Sequence, residues 1–392
     1  MGESRRYRRK WPWTLGLVAT VGLIGLSANI STTEAVAQPE GVIPDHYIVV
    51  LRDGANPHRV ANEHARQHSA AVSHVYEHVY PGYAARIPQP RLDAVRNDPR
   101  VLYVEQDGEV QAIDQTLPWG IDTIDADRSS TQAGNGTGAV GNVNTYIIDT
   151  GVDRHADLNL VNHVNFAKGP NRDCHGHGTH VAGTVAAKDN TSDVVGGAPG
   201  APVIGVKVLN CAGSGTWSGV INGIDWVTGD APKTPGPDVA NMSLGGGANQ
   251  AVDDAVQRSA NSGVFYVVAA GNDGANACNY SPARAGTHNG VMTVAATDSA
   301  DRVASWSNYG SCVDIWAPGV SILSTQNGGG TTTMSGTSMA SPHGAGGGTL
   351  YLSANTSASP AVVEGTLKNA ATTTANLSKD GRQISRLMVG GF

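Results

Sequence analysis

Gly336-Thr337-Ser338-Met339-Ala340-Ser341-Pro342-His343 sets a serine hydroxyl among small residues at the start of a run compatible with a helix. A hydroxyl there lies beside backbone N–H groups that have no partner within the helix, so the N–H of Ser338 can face a developing oxyanion. Serine is a poor nucleophile until a histidine takes its proton, and the histidine needs a carboxylate to hold its tautomer and stabilise the imidazolium. Both partners lie upstream. His177 opens His177-Gly178-Thr179-His180, and Asp149 opens Asp149-Thr150-Gly151, so the chain order is Asp, His, Ser. Gly336 to Ala340 also stands one residue away from the GxSxG turn of α/β-hydrolases, but in that fold the histidine comes last.

Around these segments short apolar strands alternate with glycine-bounded helices, the pattern of a parallel sheet covered on both faces. The expected strands include Val143 to Ile148, Val203 to Leu209 and Val264 to Ala270. Ligand sites in open α/β sheets lie at the carboxyl ends of strands, which is where Asp149 and Asn272 fall. Gly328 to Thr333 reads as a turn ahead of Ser338. His175, His177 and His180 together have the look of a zinc cluster, yet HExxH chemistry needs a neighbouring glutamate, and the only one after residue 112 is the distant Glu364.

The three segments, in this order, resemble those of subtilisin-like serine proteases, and the resemblance runs from near Pro118 to the C-terminus. Ser311-Cys312-Val313-Asp314-Ile315 points to the proteinase K and aqualysin branch. The resemblance implies a three-layer α/β fold with a mostly parallel sheet, acting as a monomer on protein and peptide substrates. Ser338 is then the nucleophile, His177 the base, Asp149 its orienting carboxylate, Asn272 the second oxyanion donor, and His180 a buried structural histidine; no catalytic metal is implied. Gly213-Ser214-Gly215-Thr216 and Ser243-Leu244-Gly245-Gly246 read as edges on which an extended peptide adds as a strand, since glycine lets a backbone come close. Such binding is largely independent of sequence, so cleavage should be broad. Preference then falls to a pocket walled by 243–246 and 269–272, which includes Ala270 and Gly271. Resemblance also implies a structural calcium ion held by the Asp314 carboxylate and the carbonyls of Asn289 and Val291, hard oxygen ligands that suit this ion.

The four cysteines, 174, 211, 278 and 312, make an even set in a chain that carries export signals, which suggests two disulfides. Sequence alone leaves three connectivities open; similarity to the aqualysin group selects Cys174 with Cys211 and Cys278 with Cys312. Residues 1–37 read as a signal peptide: a basic start, an apolar run from Leu15 to Leu26, and Ala35-Val36-Ala37 as the cleavage site. The apolar run is shorter than the roughly 20 residues a bilayer span needs, so the expectation is a secreted, extracellular protein with no membrane partner after export.

Residues 38–112 resemble the inhibitory propeptide of the family, a small α+β domain with an antiparallel sheet and two helices. That resemblance implies folding assistance, inhibition of the peptidase domain at 113–392, and self-processing between Val110 and Leu117. The segment holds six of the thirteen histidines, read mainly as solvated surface residues, with a pH-sensing or metal-binding role for the pair His64 and His68 as the alternative. The formal net charge of -7 arises wholly after residue 112, which argues against a nucleic-acid partner. One departure stands out. After the nucleophile the family continues with larger residues, whereas this chain has Gly344-Ala345-Gly346-Gly347-Gly348, which predicts a helix weakened in both propensity and packing.

Overall fold

A computed structural model describes residues 42–108 and 115–392, so the signal-peptide reading lies outside the described residues, as does most of the expected processing window. The chain divides into two compact units, 1–111 and 112–392.

In the first unit four antiparallel strands run in the order Ala71–Tyr76, Gly82–Arg86, Val42–Leu51, Val101–Gly108, with helices Pro57–His68 and Gln89–Arg96. Tyr47, Val49, Leu51, Val60, Tyr83, Leu92 and Val95 form its core. The Ala71–Tyr76 strand was not expected from sequence. It is an edge strand with no fully buried residue, and so it lacks the alternation that marks a strand. His64 also departs from the solvated reading. It is fully buried, hydrogen-bonded through Nδ1 to the Tyr83 hydroxyl and through Nε2 to Asp98 Oδ2 at 3.0 Å.

The second unit is built on nine strands in the spatial order Thr372–Leu377, Gln383–Arg386, Ile315–Pro318, Val291–Thr297, Val264–Ala269, Asp238–Met242, Asn144–Asp149, Val203–Lys207, Leu160–Asn165. All neighbours pair in parallel except the first two. Because successive side chains in a strand point to opposite faces, Phe265 and Val267 join the core on one side, and Tyr266 and Val268 join it on the other. Helices His177–Ala186, Thr337–Ala354 and Pro360–Ala370 cover the first face, and Trp217–Asp230 and Gln250–Asn261 the second. The result is the expected three-layer α/β arrangement. Chain order changes direction on either side of Asn144–Asp149, whose neighbours are Asp238–Met242 and Val203–Lys207, and such switch points open a crevice at the strands' carboxyl ends. Gly328, Gly329 and Gly330 do form a turn, but Thr331–Met334 continues as a strand that pairs with Ile322–Thr325. Among the described residues no helix is long and apolar enough to cross a membrane.

The glycine run of the Thr337–Ala354 helix is filled by its neighbours. A Cβ on Gly348 would lie 2.6 Å from the Phe265 ring, one on Gly347 2.8 Å from Val389 Cγ1, and one on Gly344 3.1 Å from Val267 Cγ1. The expected packing defect is therefore not found. What remains is the backbone term, about 0.8–1.0 kcal/mol per interior glycine. Gly348→Ala recovers that amount yet drives a methyl into a fully buried ring, and overpacking costs about 1–3 kcal/mol. We expect Gly348→Ala to lower stability by about 1 kcal/mol, measured by chemical denaturation of the inhibitor-blocked protein, rather than to raise it as helix propensity alone predicts.

Candidate active site

Asp149 closes the Asn144–Asp149 strand and is fully buried. Its Oδ1 accepts the Thr150 N–H at 2.6 Å and pairs with His177 Nδ1 at 2.8 Å. His177 is the first residue of the His177–Ala186 helix, so its ring stands at the mouth of the crevice rather than within the core. Burial pushes the imidazole pKa down, but the charge and hydrogen bond of Asp149 outweigh it, and the net shift is upward.

Sequence reasoning missed the residue that joins this pair. Asp173, fully buried, accepts Thr150 Oγ1, His175 N–H and Gly176 N–H at Oδ1, and Thr179 N–H and Oγ1 at Oδ2. Thr150 Oγ1 in turn accepts the Gly178 N–H at 2.9 Å. One carboxylate thus ties the end of the strand bearing Asp149 to the first turn of the helix bearing His177. Lys207, also buried, donates to the Thr150 carbonyl at 2.6 Å. The local signal was available, since an aspartate just before a turn often captures N–H groups two and three residues on.

The other histidines do not converge with His177 as a metal set. His180 Nε2 is bonded to the Ile322 carbonyl at 2.9 Å, and burial pushes its pKa down to about 4. The His175 and His177 rings meet edge to face, centroids 6.2 Å apart.

Ser338 is the second residue of the Thr337–Ala354 helix, and its hydroxyl donates to the Ser243 carbonyl at 3.2 Å. Among the described residues no hydrogen bond joins Ser338 to His177; contacts between nucleophile and base are often long in a resting enzyme and tighten with substrate. Beside it, Asn272 Oδ1 accepts both the N–H and the hydroxyl of Thr337, each at 2.9 Å. With the carbonyl end committed, the Nδ2 end supplies the free donors. The Ala270–Ala275 turn that carries Asn272 is braced by buried Asn308. Its Nδ2 donates to Ala270 O, and its Oδ1 accepts the N–H groups of Asp273 and Ala275. Gly271 has φ 101°, and a Cβ there would sit 2.4 Å from Asn308 Nδ2, so glycine is required on both counts.

Two adjoining cavities open at this point. A groove of about 770 Å³ is lined by His177, Gly213, Ser214, Gly215, Trp217, Ser243, Leu244, Gly245 and Gly246. A second cavity of about 330 Å³ is walled by Leu244, Gly245, Gly246, Ala269, Ala270, Gly271, Asn272 and Ser338. Every residue expected from sequence at the substrate edges lines one or both. Trp217, which packs against Gly246, was not anticipated.

Cys174 is bonded to Cys211, and Cys278 to Cys312, the pairing that the aqualysin resemblance implied. Closing loops of 37 and 34 residues stabilises by about 4 kcal/mol each on chain entropy alone. The first bridge fastens the loop before His177 to the edge at Gly213.

The calcium expectation meets a different arrangement. Asp314 Oδ2 accepts the Thr293 N–H at 2.8 Å, and Oδ1 accepts the Lys368 ammonium at 2.8 Å. Lys368 also reaches Glu364 Oε1 at 3.0 Å, while Glu364 Oε2 accepts the Gly290 N–H. Asn289 is exposed, and buried Val291 opens its strand. Both oxygens of Asp314 are engaged and the chain's own cation stands against them, so these residues as arranged do not fit a calcium ion. Lys368→Met leaves two buried carboxylates facing each other. The full cost of breaking a buried pair, about 3–5 kcal/mol, is discounted here because the lysine side chain is 41% exposed. We expect a loss of about 2 kcal/mol in thermal unfolding, part of it recovered by millimolar calcium in the variant.

Residues 142–387 match the profile of the subtilase family, and residues 46–112 that of peptidase inhibitor I9. The chain is 41% identical over 375 residues to alkaline serine exoprotease A of Vibrio alginolyticus, spanning 88% of this chain and 67% of that protein. It is 39% identical over 379 residues to the extracellular serine proteinase of Thermus sp. strain Rt41A, spanning 84% and 87%. To proteinase R of Parengyodontium album it is 38% identical over 346 residues, spanning 82% and 86%. The crystal structure of a cold adapted subtilisin-like serine proteinase aligns with a TM-score of 0.62 at 42% identity, covering 69% of this chain and 97% of that one. On a match that takes in most of the chain and relatives aligned over more than four fifths of it, this protein belongs to the subtilase family of serine endopeptidases and bears an I9-type unit ahead of its peptidase domain.

Proposed function

We propose that this subtilase is a secreted endopeptidase of broad specificity, made as a pre-pro-enzyme that processes itself. Ser338 attacks the scissile carbonyl while His177 takes its proton. Asp149 holds the imidazole and stabilises its charged form, and the Ser338 N–H with Asn272 Nδ2 binds the tetrahedral oxyanion. His177 then gives its proton to the leaving amine, and water releases the acyl-enzyme. The substrate backbone pairs with 213–215 and 243–246, and a side chain enters the small cavity walled by 244–246 and 269–272. The I9-type unit acts as the intramolecular inhibitor and is removed near residues 110–117.

The observation that supports this most is the 2.8 Å bond of Asp149 to His177, which lines the groove, with residues 244–246 common to that groove and to the adjoining cavity lined by Ser338 and Asn272. The test is incubation of processed protein with denatured casein, alone, with a serine-directed covalent inhibitor, or with a zinc chelator. The expected result is complete loss of cleavage with a stoichiometric adduct mapped to Ser338 and no effect of the chelator. Inhibition by the chelator alone overturns the serine assignment, and absence of any cleavage points to a disabled binding module.

A further inference from the structure

Proline at position 342 leaves a gap in the Thr337–Ala354 helix. Each helical carbonyl normally accepts the N–H four residues on, so the carbonyl of Ser338 is the one that Pro342, having no N–H, cannot serve. That carbonyl is satisfied from another element: Ser243 Oγ donates to it at 2.8 Å. Ser243 is held in turn. Asn241 Nδ2 donates to Ser243 Oγ at 2.9 Å, and Asn241 Oδ1 accepts the Ser341 hydroxyl at 2.7 Å. Asn241, Ser243 and Ser341 are each 3% exposed or less, so no solvent competes for these bonds.

We propose that Asn241 and Ser243 are positioning residues for the nucleophile, their side chains supplying the hydrogen bond that Pro342 withholds from Ser338. The inference rests on Ser338 being the nucleophile. One residue upstream, the Thr337 N–H is held by Asn272, and the peptide that follows Ser338 is held through its carbonyl by Ser243, so the turn that carries Oγ is anchored on either side of the nucleophile. The clamp also sets a distance. Ser243 begins the 243–246 edge, and the Ser338 hydroxyl donates back to the Ser243 carbonyl, so nucleophile and substrate edge are tied reciprocally. In a regular helix with alanine at 342 the Ser338 carbonyl has an internal partner, and the tie to Ser243 becomes dispensable.

That contrast defines the experiment, a cycle of Ser243→Ala, Pro342→Ala and the double variant, in processed enzyme titrated with a serine-directed covalent inhibitor. Ser243→Ala should lower kcat roughly 10- to 100-fold with KM within about 3-fold, the scale of a slightly misplaced reacting group. Pro342→Ala alone should stay within about 3-fold of the parent, and adding Pro342→Ala to Ser243→Ala should restore kcat to about that level. Ser243→Thr, which keeps the hydroxyl, should lose less kcat than Ser243→Ala. The proposal is overturned if Ser243→Ala leaves kcat unchanged, if it raises only KM, or if the double variant is no better than Ser243→Ala. If Ser243→Ala alone does not mature, the double variant still decides, since only rescue through the restored N–H lets it mature and cleave. Failure of the parent to form an adduct on Ser338 is a separate result, and it removes the nucleophile assignment itself.

Discussion

Asp149→Asn is expected to lower kcat by about 10⁴. Asparagine keeps the shape, but it can present an N–H to His177 Nδ1 and so favour the tautomer whose Nε2 proton blocks the base. It also removes the charge that stabilises the imidazolium. The pH profile separates this from a general loss of structure. In the parent, Asp149 overcomes burial and lifts the His177 pKa above its ordinary value of about 6.5, so kcat should rise with pH through a midpoint above that value. The same shift has a sign in stability. A raised folded pKa contributes stability below the unfolded value, and that contribution is lost as pH rises through the folded one. The enzyme therefore works where this part of its stability is already given up. In Asp149→Asn burial is opposed only by the charge of Asp173, and the midpoint should move down. A pH–rate profile of residual activity checks this, and an unmoved midpoint excludes Asp149 as the partner that sets the base.

The second large effect is expected at Asn272. Asn272→Leu keeps the volume and deletes the Nδ2 donor, and kcat should fall about 10²–10³-fold, or about 2.7–4 kcal/mol, a range established on subtilisin itself. KM should change little, because the donor is aimed at charge that develops only in the transition state. The variant also strips Thr337 of its acceptor, since both its N–H and hydroxyl bind Asn272 Oδ1. A stability loss of about 1–3 kcal/mol should accompany the kinetic one. Thr337→Val distinguishes the two roles: it keeps the amide and removes one of its two anchors, so a smaller fall in kcat is expected. Steady-state kinetics with thermal unfolding on the same samples reads both.

What could be read in advance follows the range of the forces involved. Asp149, His177, Ser338 and Asn272 sit in short local motifs, and the central strands announce themselves as apolar runs because both faces are covered. Ala71–Tyr76 was hidden because an exposed edge strand has no such pattern. Asp173 offered a local turn signal, but its tie to Thr150, 23 residues away, did not show, and Asn308 acts wholly through segments distant in sequence. Ser243 could be placed at a substrate edge, but its bond to the Ser338 carbonyl, 95 residues away, is visible only once the fold brings them together. The glycine run misled for a related reason, since whether a missing methyl leaves a void depends on Phe265, Val389 and Val267. At Asp314 the resemblance supplied a metal, whereas the Pro360–Ala370 helix supplies Lys368.

The strand that carries Asp149 lies in the middle of its sheet, and one of its two neighbours begins 94 residues further along, where Asn144 meets Asp238. A central strand that waits so long for its second partner makes folding slow, because the entropy of closing that loop is spent before the pairing rewards it. The same topology makes escape slow once the sheet is closed and two disulfides have shut. For an endopeptidase kept among copies of itself, lifetime is then set by the rate of unfolding rather than by the equilibrium between folded and unfolded chains. A molecule that does open is cleaved before the 94-residue wait can be repeated.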